Sequence, residues 1–112
     1  MAKIHFKYGA MNSGKSDTLM KTAYNYEERG LKVLIIKPAV DTKGGSKVVA
    51  RAGLNREADI LATDADNLEK LVIAKGDTTC VLVDEAELLN EGQISQLYHI
   101  AKDHNISVIC YG

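Results

Sequence analysis

Gly9-Ala10-Met11-Asn12-Ser13-Gly14-Lys15-Ser16 stands directly after an apolar-alternating run near the start of the chain. Its spacing matches G-x-x-x-x-G-K-[ST], the pattern of a loop that wraps phosphate. Each residue type has a task in such a loop. Glycine lets the backbone curl until several N–H groups point inward at phosphate oxygens. A helix beginning at Lys15 adds the positive end of its dipole. Lys15 reaches the β- and γ-phosphates as a point charge, and Ser16 offers a hydroxyl to Mg²⁺. With glycine at about 7% of residues, a chance match somewhere in a chain of this size is on the order of a few in a thousand.

A phosphate loop alone does not complete a nucleotide site. The metal needs a carboxylate, usually at the end of a neighbouring apolar strand. Val81-Leu82-Val83-Asp84-Glu85 supplies one. Asp84 is assigned to Mg²⁺ through a water, because Mg²⁺ keeps much of its hydration shell. Glu85 points elsewhere: it takes a proton from a hydroxyl, positions a water, or merely caps the strand end. ATP hydrolysis and phosphoryl transfer both stay open on spacing alone.

These residues need a frame to hold them. Residues 2–8 alternate Ile4, Phe6 and Tyr8 against Lys3, His5 and Lys7, which predicts a strand with one more protected face. After the loop, Leu19, Met20, Ala23 and Tyr26 recur at helical spacing, with Gly30 as a stop. Residues 31–38 form a nearly continuous apolar run ended by Pro38, as expected of a strand buried on both faces. Residues 39–49, with Gly44-Gly45, read as a mobile loop, and residues 50–54 as a short extended piece. A helix follows, with Asp64 or Asp66 as N-cap and Gly76 as stop. Next come the strand that ends in Asp84, a helix with Ile94, Leu97, Tyr98 and Ala101 on one face, and a last strand over residues 106–112. Strands alternating with helices predict an α/β fold of the P-loop NTPase kind, with a mainly parallel sheet flanked by helices. Ligands on such sheets sit at the carboxyl ends of strands, where both the loop and Asp84-Glu85 fall.

The 112 residues, 46% hydrophobic and 26% charged, suit one nucleotide-binding domain over residues 1–112. A net charge of −1 without a basic stripe argues against a nucleic-acid partner. No apolar run reaches spanning length and no signal peptide is evident, which points away from membrane and export and toward the cytoplasm. Cys80 and Cys110 lie in apolar runs and read as reduced core residues. His5, His99 and His104 show no ligand spacing and read as surface or helix-face residues.

The segments YGAMNSGKS, NYEERGLKVLIIKPAVDTK, RAGL, VLVDEAELL and VICYG follow one another in an order that resembles the P-loop (type II) thymidine kinases, closest in their bacterial form. The resemblance covers nearly the whole chain, and Met11 within the loop makes it more specific than the general pattern. It implies transfer of the ATP γ-phosphate to the 5′-hydroxyl of thymidine, giving dTMP. It implies Glu85 as catalytic base, Lys15 and the loop amides on the ATP phosphates, and Ser16 and Asp84 on Mg²⁺. It implies Met11 and Leu88 in the nucleoside pocket, and Asp41 and Arg51 near the phosphates. Homo-oligomers, dimers or tetramers, are implied too.

The family is longer. Beyond a stretch like VICYG it continues into a zinc site of four cysteines and a lasso-like loop that grips thymine, neither of which is in these residues. The 112-residue chain by itself is therefore expected to bind ATP–Mg²⁺ weakly and to phosphorylate thymidine poorly. Smaller departures also stand out. Glu87 replaces the usual glutamine, either adding negative charge beside Asp84 and Glu85 or pointing to solvent. Leu88 and Leu89 replace an often aromatic position, removing a stacking surface. Lys43 stands where arginine is common and lacks its bidentate fork. Two further readings compete: an ATP-binding module without catalysis, and an ATPase that directs water onto the nucleotide.

Overall fold

Val33-Leu34-Ile35-Ile36 and Cys80-Val81-Leu82-Val83 carry no polar side chain for water on either side, so each must lie between two covered faces. Both become interior strands. The computed structural model describes residues 3–7, 15–39, 47–49 and 55–112. Within them the order is β1 (Ile4–Lys7), α1 (Lys15–Glu28), β2 (Val33–Pro38), β3 (Lys47–Val49), β4 (Asn55–Glu57), β5 (Ile60–Ala62), α2 (Leu68–Ala74), β6 (Cys80–Val83), a 3₁₀ turn (Ala86–Leu88), α3 (Glu91–His104) and β7 (Ser107–Tyr111). The main sheet has strand order β1-β7-β6-β2-β5, and every pairing in it is parallel. The expected α/β class and mainly parallel sheet are what the chain forms.

Strand alternation splits the core into two layers. On one face Leu19, Met20 and Ala23 of α1 cover Val33, Ile35, Cys80, Leu82 and Tyr111. On the other, Leu68 and Val72 of α2 and Leu97, Ile100 and Ala101 of α3 cover Leu34, Ile36, Val81, Val83, Val108 and Cys110. Gly30 leaves α1 at φ +76°, a left-handed turn that glycine makes without strain. Among the described residues no helix is long and apolar enough to cross a membrane.

Several expectations are corrected. Residues 47–49, assigned to a mobile loop, form β3, which pairs antiparallel with β4; Val48 is fully buried against the α1 layer and holds the ribbon there. Residues 40–46 and 50–54 lie outside the described residues. Strand β5 was not foreseen, because three residues show no usable period. It is bracketed onto β2 by Asp59, whose N–H donates to Ile35 O at 2.8 Å while its carboxylate accepts from Ile35 N at 2.8 Å. The N-cap of α2 is Asn67, accepting from Lys70 N at 3.0 Å, whereas the Asp66 carboxylate accepts from Thr63 N. On α3 the inward face carries Gln93, Leu97, Ile100 and Ala101; Tyr98 is 51% exposed, its ring 6.1 Å from that of Phe6.

Arg56 of β4 donates to Glu27 of α1 through both terminal nitrogens, one bond measuring 2.8 Å, and its guanidinium lies 5.5 Å from the Tyr24 ring centre. The hydrogen-bonded guanidinium holds the Glu27 carboxyl below its usual range. The β3–β4 ribbon is thereby tied to α1 by charge at its rim and by Val48 beneath.

Cys80 and Cys110 are both free and buried, as expected. Burial pushes the Cys80 thiol up to about 11, partly opposed by a hydrogen bond with Tyr26, and the Cys110 thiol up to about 12. A raised thiol pKa means that the folded chain holds the proton more tightly than the unfolded chain. That stability is complete below about pH 9, the ordinary thiol value, and is lost as pH rises toward 11 and 12. Urea unfolding should accordingly show stability falling from pH 9 upward. At pH 8 both thiols should resist a disulfide reagent until denaturant is added; rapid native-state labelling of either would contradict their burial.

Candidate active site

Register brings one row of residues level across the carboxyl edge of the sheet. Phe6 pairs with Cys110, Cys110 with Val83, Val83 with Ile36, and Ile36 with Ile60. One residue further along, Lys7 pairs with Tyr111 and Lys37 with Leu61. Asp84 stands between Tyr111 and Lys37, and its N–H continues the ladder by donating to Ile36 O at 2.9 Å. Successive strand residues point to opposite faces. The file Val33, Ile35 therefore continues into Lys37, and the file Cys80, Leu82 continues into Asp84, both on the α1 side.

At this level the apolar layer beneath α1 becomes charged. Lys37 is 1% exposed and Asp84 5% exposed. Charges so deeply placed are rarely tolerated without compensation, since desolvation costs several kcal/mol per ion. An ammonium and a carboxylate brought level on neighbouring strands can offset part of that cost by mutual attraction. Tyr111, the next residue in the row, hydrogen-bonds Thr22 of α1 across 3.1 Å and anchors the helix over the row. Lys37 was not singled out from sequence. The signal was present: VLIIK and VLVD each end a buried apolar run in a charge at the same strand position.

The strand bearing Asp84 does not adjoin the strand that feeds the phosphate loop, as the sequence pattern suggested; β7 lies between them. The chain reaches β7 only after α3 has crossed the far face, and the open slot beside β1 receives it. With neighbouring strands about 4.8 Å apart, β1 and β6 are about 10 Å apart, room for a phosphate chain with a hydrated cation.

Glu85 follows Asp84 but leaves the strand pattern altogether. Its backbone is left-handed, φ 52° and ψ 46°, and turns the chain from β6 into the 3₁₀ turn. Only one other described non-glycine residue has positive φ, Asn105 at the C-cap of α3, a residue type that tolerates this conformation. Glutamate does not, so the strain is local to the position where chemistry was expected. The turn takes Glu85 out of the alternation that sets Asp84 on the α1 side. Glu85 is half-buried and Glu87 exposed; Leu88 is 43% exposed at the turn's end. The solvent-facing alternative for Glu87 is the one the fold adopts.

The segment beyond is braced. Asn90 and Gln93 form a reciprocal capping box at the start of α3. Gln93, buried, also donates to Thr63 O at 2.7 Å, Asn90 to Asp64 O at 3.1 Å, and Gln96 accepts from Leu68 N at 2.7 Å. The turn after β5 is thus fastened to the head of α3, and both flank Asp84-Glu85.

Of the phosphate loop, Gly9, Ala10, Met11, Asn12, Ser13 and Gly14 lie outside the described residues, as do Asp41, Lys43 and Arg51. Lys15 and Ser16 open α1 as expected. The helix start therefore follows the loop, on the same face and at the same edge as Asp84. A serine hydroxyl and a carboxylate are hard oxygen donors that fit Mg²⁺, an ion that takes few protein ligands and keeps water and phosphate oxygens. Among the described residues no group of three or more His, Cys, Asp or Glu is arranged to hold a metal ion. The cysteines do not fit zinc, being buried singly in the core. His99 and His104 pair instead with Asp103 at 3.0 Å and Glu69 at 2.8 Å, and His5 is exposed.

Comparison with known proteins gives a consistent result. The family model for thymidine kinase matches residues 2–112. The thymidine kinase of Enterobacteria phage T4 is 45% identical over an aligned length of 115, covering all of this chain and 60% of the phage protein. Those of Francisella tularensis subsp. tularensis and Xanthomonas axonopodis pv. citri are 44% and 43% identical over 116, again covering the whole chain, and 58% and 56% of the relatives. The chain spans about three fifths of the length of the curated relatives it matches.

The strain at Glu85 makes a measurable demand. Glu85→Gly relieves about 1–2 kcal/mol of left-handed strain and loses about 0.5–1 kcal/mol to added chain entropy. Urea unfolding should find the variant at least as stable as the parent, by up to about 1.5 kcal/mol. A clear loss of stability would show that Glu85 is there for the fold.

Proposed function

The chain belongs to the thymidine kinase family, and on that premise we propose that residues 1–112 form the nucleotide-holding part of an enzyme that transfers the γ-phosphoryl group of ATP to the 5′-hydroxyl of thymidine, giving dTMP and ADP. The observation that carries the reading is the strand-end pair: Asp84, buried at the level where the α1 face turns polar, followed by half-buried Glu85 in a strained left-handed turn. On this reading one carboxylate serves a cation and the next an acceptor.

In this reading the backbone N–H groups of Gly9, Ala10, Met11, Asn12, Ser13 and Gly14 and the Lys15 ammonium hold the triphosphate at the head of α1. Ser16 and Asp84 would hold Mg²⁺, which supplies charge neutralisation on the phosphate oxygens. The Glu85 carboxylate accepts the 5′-hydroxyl proton as the new O–P bond forms and the bond to the β–γ bridging oxygen breaks. Phosphoryl transfer asks chiefly for alignment and charge stabilisation, so a carboxylate base suffices. Met11 and Leu88 contact the nucleoside, and Asp41 and Arg51 lie near the phosphates. The exposure of Leu88 beside Glu85 suits that contact. The working form is a cytoplasmic homo-oligomer serving nucleotide salvage, and the thymine grip and zinc site belong to parts of the family outside this sequence.

The test is phosphate transfer from labelled ATP in the longest expressed form that contains this chain. Glu85→Gln should lower kcat by about 10²–10⁴-fold while ATP affinity stays near the parent's. Asp84→Asn should abolish the gain in ATP affinity that Mg²⁺ brings. Full transfer rate in Glu85→Gln overturns the base assignment, and ATP cleavage without any nucleoside overturns the kinase reading.

A further inference from the structure

Lysine is among the residues least often fully buried, and is rarely so without a charge or hydrogen-bond partner. Lys37 is 1% exposed. It closes the file Val33, Ile35 on the face that α1 covers, at the last ladder position before Pro38. Its neighbour at the same level on the same face is Asp84, which closes the file Cys80, Leu82. The two strands carrying them are tied residue by residue from Val33–Cys80 through Ile36–Val83, so neither charge can shift along the sheet without breaking the ladder. Position, face and burial are therefore shared by an ammonium and a carboxylate at the one place where the apolar layer ends.

A carboxylate that holds a metal works through its orientation as much as its charge, and the groups that orient it matter nearly as much as the ligand itself. We propose that Lys37 is a positioning residue for Asp84: its buried ammonium, level with the carboxylate on the adjoining strand, fixes the charge balance and direction in which Asp84 meets the cation carried by the nucleotide. Lys37 differs in this from Lys15, whose place is at the head of α1 on the phosphates. The inference rests on the reading of Asp84 as the cation-holding carboxylate.

The experiment is calorimetric titration of β,γ-imido-ATP, with Mg²⁺ and with EDTA, into the longest expressed form of the protein and three variants. For the parent, Mg²⁺ should raise affinity. Lys37→Gln should cut that Mg²⁺-dependent gain by about 10–100-fold, leaving affinity in EDTA nearly unchanged, since the loop amides and Lys15 remain. Lys37→Arg, which keeps the charge, should restore most of the gain. A merely structural lysine would lower the melting temperature and both affinities together. An unaltered Mg²⁺ gain in Lys37→Gln overturns the proposal. If Lys37→Gln does not fold, Lys37→Arg decides alone: a retained gain supports it, and a lost gain in a folded variant overturns it. Asp84→Asn separates the two readings. If it keeps the parent's Mg²⁺ gain, the assignment of Asp84 falls and this inference with it; if it loses the gain and Lys37→Gln does not, only the role of Lys37 falls.

Discussion

Parallel register is the constraint on which the molecule turns. Five strands run the same way, and their pairings keep Phe6, Cys110, Val83, Ile36 and Ile60 level. Every strand therefore delivers its next residue to a common edge, and every helix that follows starts there. The head of α1, the Asp84-Glu85 step and the turn after β5 are distant in sequence but meet because the ladder permits no slip. A one-residue shift in β6 would carry Asp84 to the α3 side, away from the start of α1.

Burial then decides how the edge is used. The layer between α1 and the sheet is apolar through Val33, Ile35, Cys80 and Leu82 and charged at Lys37 and Asp84. The change happens within one residue. Such an abrupt boundary sharpens electrostatics, since charges beside a dry layer act in a lower dielectric than charges in solvent. Tyr111 and Thr22 close the layer on the other side of Asp84, so α1 is tied to the sheet at its second turn.

What could be read in the sequence follows from what each feature demands. The phosphate loop and the acidic doublet were legible because their chemistry requires given residue types at given offsets. The interior strands β2 and β6 were legible because continuous apolar runs admit few other fates. The three-residue strands β3, β4 and β5 were not, since no period can show in so short a span. At the head of α2, Asp64, Asp66 and Asn67 are all good capping residues, and the local bond of Asp66 to Thr63 N, three residues back, leaves Asn67 to the helix. Tyr98 sat on the edge of the helical stripe, where spacing alone cannot separate covered from bare. Lys37 escaped because general preference places lysine outside, and a functional edge is where general preference yields.

The bracket that Asp59 sets on Ile35 has a colloidal consequence. It finishes the β2 backbone where β5 has not yet begun, so that outer ribbon needs only three paired residues and offers an incoming strand very little to copy. On the opposite margin of the described sheet β1 exposes Lys3, His5 and Lys7, and the two lysine charges disfavour pairing with a second identical strand. Neither margin of the described sheet therefore presents a long, bare, apolar template to a second strand.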